Sequence, residues 1–371
     1  MAIKSLLETM LARKASDLFI TVGFPPSAKI DGELRQLSEE PLDRSQALAL
    51  VESVMNEENR RQFHEQKEAN FAYSDPDMEG RFRVSAFWQR DNPGMVMRSI
   101  ETRIPTMEEL YLPDIMKNVC MAKRGLVILV GATGTGKSTS LAAMVGYRNQ
   151  HQKGHILTIE DPIEFVHEHR QSIVTQREVG IDTESFDAAL KSALRQAPDV
   201  ILLGEIRSQE TMEFALSFAE TGHLCMATLH ANNANQALDR ILHLVPKEKH
   251  QQLLFDLSLN LKAIMAQQLV PHRDGQGRRA AIEVLLNTPR VSDLIARNQL
   301  FELKETMTKS REQGMQTFDQ ALFDLYMADE ITMVDALHYA DSPNDLRLMI
   351  KLKQSNHTGS GYMDGVTIDL D

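Results

Sequence analysis

Apolar residues recur along this chain at two spacings, and the change from one to the other divides it. Leu6, Leu7, Met10 and Leu11 fall at helical spacing, after which "DLFITVG" and "PSAKIDGELRQL" alternate like strands joined by Gly and Pro turns. Asp31-Gly32 is a hairpin signal. A polar helical stretch follows from about Asp43 to Glu68, and then "ANFAYSD" and "GRFRVSAFWQR", separated by "PDMEG", form a second antiparallel pair. Residues 1–100 are therefore expected to fold as a small α+β domain. "SIETRIPTMEELYLP", with Pro105 and Pro113, predicts a linker over 101–113.

From Gly125 the pattern changes. "LVILV", "HILTI", "VILLG" and "HLCMATL" are short apolar runs separated by helix-like stretches, the signature of a parallel sheet covered on both faces. An α/β core is expected over 114–286. Within it Leu253, Leu254, Leu257, Leu261, Ile264 and Met265 share one helical face, a core or subunit contact. "DQALFDLYMAD" and "MVDALHYA" make 287–352 a helical region, and 353–371 has the composition of a flexible acidic tail.

Composition narrows the class. With 371 residues, 42% hydrophobic and 25% charged, the chain has the balance of a soluble globular protein of two or three domains. The absence of a long apolar run or signal peptide predicts a cytoplasmic protein. A net charge of −12 argues against a nucleic-acid partner. Cys120 and Cys225 are expected to be buried thiols, and "HEH" at 167–169 a solvated strand end rather than a metal pair. The nineteen methionines are most simply core fillers.

"GATGTGKST", from Gly131 to Thr139, follows a strand and opens a helix, the context in which a glycine-rich loop cradles phosphate. Gly131, Ala132, Thr133, Gly134, Thr135, Gly136, Lys137, Ser138 and Thr139 are the candidate phosphate-binding residues, with Lys137 for the β- and γ-phosphates and Ser138 for Mg²⁺. "VILLGEIR" supplies Glu205 at a strand end as a second group for the metal shell; its length suits contact through a water. In "TIEDPIEF" any of Glu160, Asp161 and Glu164 is placed to orient or deprotonate a water. His223 and His230 bound the apolar run Leu224 to Leu229.

Taken together, "GATGTGKSTS", "TIEDPIEF", "LLGEIRS" and "TGHLCMATLHANN" resemble, in order and spacing, the Walker A, Asp box, Walker B and His box of the type II secretion and type IV pilus ATPases. "SDLFI", "KIDGEL" and "GRFRVSAF" resemble that family's PAS-like amino-terminal domain, so the likeness covers nearly the whole chain. The short amino-terminal region and the lack of any C-x-x-C point to the retraction branch, the PilT/PilU type. "VSDLIARNQLFELKETMTKS" and the polar tail fit its accessory member better than its principal one.

The resemblance implies a RecA-like core, ATP with Mg²⁺, and a homohexamer in the cytoplasm, peripheral to the inner membrane. It also implies a paralogous retraction ATPase and the inner-membrane platform protein as partners. It makes Glu164 the catalytic base and Glu205 the Walker B residue, His230 the sensor of the γ-phosphate and His223 a coupling residue nearby. Arg83 and Arg98 become phosphate-facing arginines lent to a neighbouring subunit; the period of two puts Arg81 and Arg83 on one face of their strand and Phe82, Val84 and Ala86 on the other. Ser208 stands where many relatives carry Asp. The rivals are a nucleic-acid translocase on the same core and a nucleotide-binding subunit that does not hydrolyse.

Overall fold

The computed structural model describes residues 2–358 apart from 31, 76, 79, 101 and 102, with side chains through residue 353. Two compact units are present: residues 1–104 with the short segments 163–167 and 180–182, and the remainder.

In the first unit a six-stranded sheet has the order β3-β2-β1-β6-β5-β4. The strands are β1 (Asp17–Thr21), β2 (Ser27–Ile30), β3 (Glu33–Gln36), β4 (Glu68–Tyr73), β5 (Arg81–Gln89) and β6 (Asn92–Ile100), all paired antiparallel. The helix α1 (Ile3–Ala12) buries Ile3, Leu6, Leu7 and Met10. The polar stretch is two helices, α2 (Arg44–Glu52) and α3 (Glu57–Gln66), because Asp43 and Asn56 each cap a new amino terminus by accepting a backbone N–H. Phe82, Val84 and Ala86 are fully buried while Arg83 is exposed, as the period of two requires. "NPGMVMRSI" is a strand that patterning alone missed: β6 returns from β5 through Arg90 and Asp91, both at positive φ (48° and 59°). The 27–36 hairpin forms, although Asp31 itself lies outside the described residues.

The second unit is built on a seven-stranded sheet, β13-β12-β7-β11-β10-β8-β9. The element order is α4 (Ile115–Cys120), β7 (Gly125–Val130), α5 (Lys137–His151), β8 (Gly154–Glu160), β9 (Ser172–Glu178), α6 (Phe186–Ala193), β10 (Val200–Leu203), α7 (Gln209–Glu220), β11 (Leu224–Leu229), α8 (Ala234–His243), α9 (His250–Asn260), β12 (Leu261–Pro271) and β13 (Arg278–Leu286). All neighbours are parallel except β12 and β13. β7 and β11 are buried at every position, which is why they read as unbroken apolar runs.

Two expectations change. The helical face drawn through Leu253 to Met265 ends at Asn260; Ile264 and Met265 belong to β12, and both periods coincide in so uniformly apolar a run. Residues 105–113 are no free linker, since Met107 and Leu112 are buried with Met116 and Val127 in the second unit. The region from 287 is helical as expected, and α10 (Pro289–Ala296), α11 (Leu303–Lys309), α12 (Phe318–Met327), α13 (Met333–Tyr339) and α14 (Pro343–Thr358) share the core's apolar cluster. The expected tail begins later than 353, since 353–358 continue α14, and the rest of it lies outside the described residues. Among the described residues no helix is long and apolar enough to cross a membrane.

Candidate functional site

In a parallel sheet the loops at the carboxyl ends of adjacent strands share one edge, and here those ends are polar. β7 runs into the glycine loop, β11 into His230, β10 into Gly204 and Glu205, and β8 into Asp161. A Cβ on Gly131 would lie 2.5 Å from Thr135 Oγ1 and 2.7 Å from the Gln267 carbonyl, so only glycine fits. Gly134 and Gly136 adopt positive φ (80° and 83°), and Gly136 starts α5 without any side-chain cap. The first-turn amides, Lys137 to Thr139 among them, therefore face no capping oxygen, the arrangement that receives an anion. Lys137 is buried, and its Nζ donates to the carbonyls of Gly131 (2.8 Å) and Ala132 (2.9 Å), so the ammonium is already folded into the loop.

Glu205 joins two nitrogen-bearing partners. Its Oε2 accepts from Arg207 Nε at 2.6 Å and its Oε1 lies 3.2 Å from His230 Nε2. Arg207 also reaches Asp161 at 3.5 Å, so it spans the ends of β8 and β10. Thr228, on β11, donates to the Gly204 carbonyl at 2.5 Å and accepts from the Ile206 amide, which fixes the turn that presents Glu205. Glu160 accepts from Thr158 (2.6 Å) and Gln176 (3.2 Å). Ser208 caps α7 in a capping box with Thr211, a task Ser performs as well as Asp.

The remaining candidates stand elsewhere. His223 precedes β11 and so occupies the opposite edge of the sheet from the glycine loop; Leu224 pairs with Gly125 while Leu229 pairs with Val130. Its ring Nδ1 lies 3.0 Å from Thr221 Oγ1 and 3.2 Å from the Phe218 carbonyl, and its own carbonyl accepts from Gly125. Within the chain His223 closes a strand start, at the sheet edge opposite the one where His230 meets Glu205. Glu164 is exposed and groups with the first unit. Arg83 and Arg98 are direct cross-strand partners on that unit's sheet, with Arg98 bonded to the buried Asp17 at 2.9 Å. "HEH" is not uniformly solvated: burial pushes the His167 imidazole down to about 4, while His169 is exposed and accepts from the Val174 amide. Cys120 and Cys225 are buried, with thiols raised by burial. Arg207, Thr228 and Gln267 were missed; the signal for the last was a glutamine inside an apolar strand.

Against known proteins, the type II/IV secretion system protein family matches residues 1–330. The chain is 63% identical to the type IV pilus ATPase PilU of Pseudomonas aeruginosa, across all of this chain and 97% of that one. It is 41% identical to PilT of the same organism, described as a type IV pilus retraction ATPase, over 93% of this chain and 100% of that one. A crystal structure of the pilus retraction motor PilT with bound ADP superposes with a TM-score of 0.87 at 40% identity, covering 94% of this chain and 100% of the other. This chain belongs to the type II/IV secretion system protein family, and within it to the PilT/PilU type IV pilus ATPases.

Proposed function

We propose that this chain is an ATP-hydrolysing motor subunit of pilus retraction, acting in the accessory role beside a paralogous ATPase. The observation that carries the reading is the uncapped start of α5 under the glycine loop, one strand away from the Glu205–His230 pair. These residues fit a nucleoside triphosphate: amides and the Lys137 ammonium for the phosphates, the Ser138 hydroxyl and the Glu205 carboxylate to hold Mg²⁺. The metal supplies neutralisation of phosphate charge when bound. Glu164 takes the proton of the attacking water, and His230 responds to the γ-phosphate while keeping Glu205 oriented. Arg83 and Arg98 stand directly opposite each other, Arg98 steadied by Asp17 and both guanidinium groups exposed, which supports their approach to a neighbour's phosphates in a homohexamer. Such a ring works in the cytoplasm against the pilus platform at the inner membrane.

Complementation of a strain lacking its retraction ATPases tests the role. This chain should restore twitching only when the paralogue is also supplied. Twitching restored by this chain alone would sink the accessory assignment.

A further inference from the structure

Gln267 lies on β12 where that strand runs beside β7, one residue past the Ala266–Val130 pair, and is almost wholly buried. Its amide is used at both ends: Nε2 donates to the Thr135 carbonyl at 2.8 Å and Oε1 accepts from Ser140 Oγ at 2.7 Å. The Thr135 carbonyl can only accept, so the orientation of the amide is fixed. Two of the loop's glycines owe their tightness to this same residue. A Cβ at Gly131 would meet the Gln267 carbonyl at 2.7 Å, and one at Gly136 would meet Gln267 Nε2 at 2.9 Å.

We propose that Gln267 is a positioning residue for nucleotide phosphate: by holding the Thr135 carbonyl against β12 it aims the Gly136 amide into the mouth of the loop. Carbonyl and N–H of one planar trans peptide point in opposite directions, so fixing the first fixes the second. The Ser140 bond anchors the other end of the clamp to the first turn of α5, and loop and helix start move as one piece. Without Gln267 the Thr135 carbonyl is free to turn inward, where it would oppose a phosphate oxygen. The inference rests on the glycine loop being a nucleotide site.

ADP titration of the full chain, with wild type, Lys137→Ala, Gln267→Leu and Gln267→Glu side by side, tests it. Gln267→Leu should weaken ADP about tenfold, the size of one well-aimed charge-assisted hydrogen bond. Gln267→Glu should do the same at a pH of about 9, where the ionised carboxylate keeps an acceptor for Ser140 but has no donor for Thr135. The thermal midpoint measured without nucleotide reports folding separately; a purely structural role would lower that midpoint and leave the ADP affinity of the folded protein unchanged. Should Gln267→Leu fail to fold, Gln267→Glu carries the comparison, and Ser140→Ala should weaken ADP in wild type but add nothing in the Gln267→Glu background. Wild-type affinity in the folded Gln267 variants would overturn the proposal, whereas equal binding by wild type and Lys137→Ala would overturn the nucleotide site itself.

Discussion

The two edges of the parallel sheet carry similar side chains to different ends. At the amino edge His223 is held by Thr221 and the Phe218 carbonyl, and Asp199 accepts from the His155 amide while pressing so close to Gly154 that a Cβ there would lie 2.5 Å from it. Each polar group named there has a partner that explains it. At the carboxyl edge Glu205 gathers Arg207 and His230, and α5 begins with no cap. An imidazole beside a strand is therefore uninformative until its edge is known.

Removing Glu205 should give the largest effect. ATP turnover of Glu205→Ala is expected to fall by about 10²–10³, the usual cost of deleting a group that acts on transition-state charge, with ADP binding kept. Turnover equal to wild type would remove the carboxyl edge from the chemistry.

The two histidines make the sharper contrast. His230→Ala should reduce turnover by about 10-fold or more, since it frees one oxygen of Glu205. His223→Ala should leave turnover within about twofold and cost about 1 kcal/mol of stability, one lost hydrogen bond. If the two variants lost activity equally, the distinction between the edges would fail.

A smaller effect is expected from Glu283 on β13. It is buried, accepts from the Ala234 amide at 2.8 Å, and has its carboxyl pushed up to about 7, first by burial, with Asp341 adding and the Ala234 amide, Lys304 and the Phe318 amide opposing. A carboxyl raised on folding contributes stability that is fully present below its ordinary pKa, about 4.5, and lost as pH rises through about 7. The thermal midpoint of wild type relative to Glu283→Gln should therefore be highest at or below about pH 4.5, decline between there and about pH 7, and level off above it. A flat difference would contradict the shift.

Much of the fold could be read from the chain because β7, β10 and β11 are buried at every position and β8 along its middle, so that all four are spelled in largely apolar letters. β12 could not: Asn260 passes from helix to strand with neither Gly nor Pro at the boundary, and "NLKAIMAQQL" satisfies either period. The glycine loop was legible because its chemistry is local, six consecutive residues from Gly131 to the helix start. Gln267 was not, since the carbonyl it holds is that of Thr135, on a segment far earlier in the chain. Likewise the role of Arg207 depends on Asp161, which only the pairing of β8 with β10 brings near.

The hairpin β12–β13 sets Gln267 opposite Ile282 and Glu283 opposite Ala266, adjacent rungs whose side chains leave on opposite faces. One face grips the glycine loop and the other the first amide of α8, the helix that follows His230. Insertions during evolution should thus be unequally tolerated: His272 and Arg273 are tied to Glu330 and Asp329, but the turn tip at Gly275 to Gly277, with both glycines in open space, should accept a change of length. A single residue added within either strand would exchange the faces and release one of the two grips.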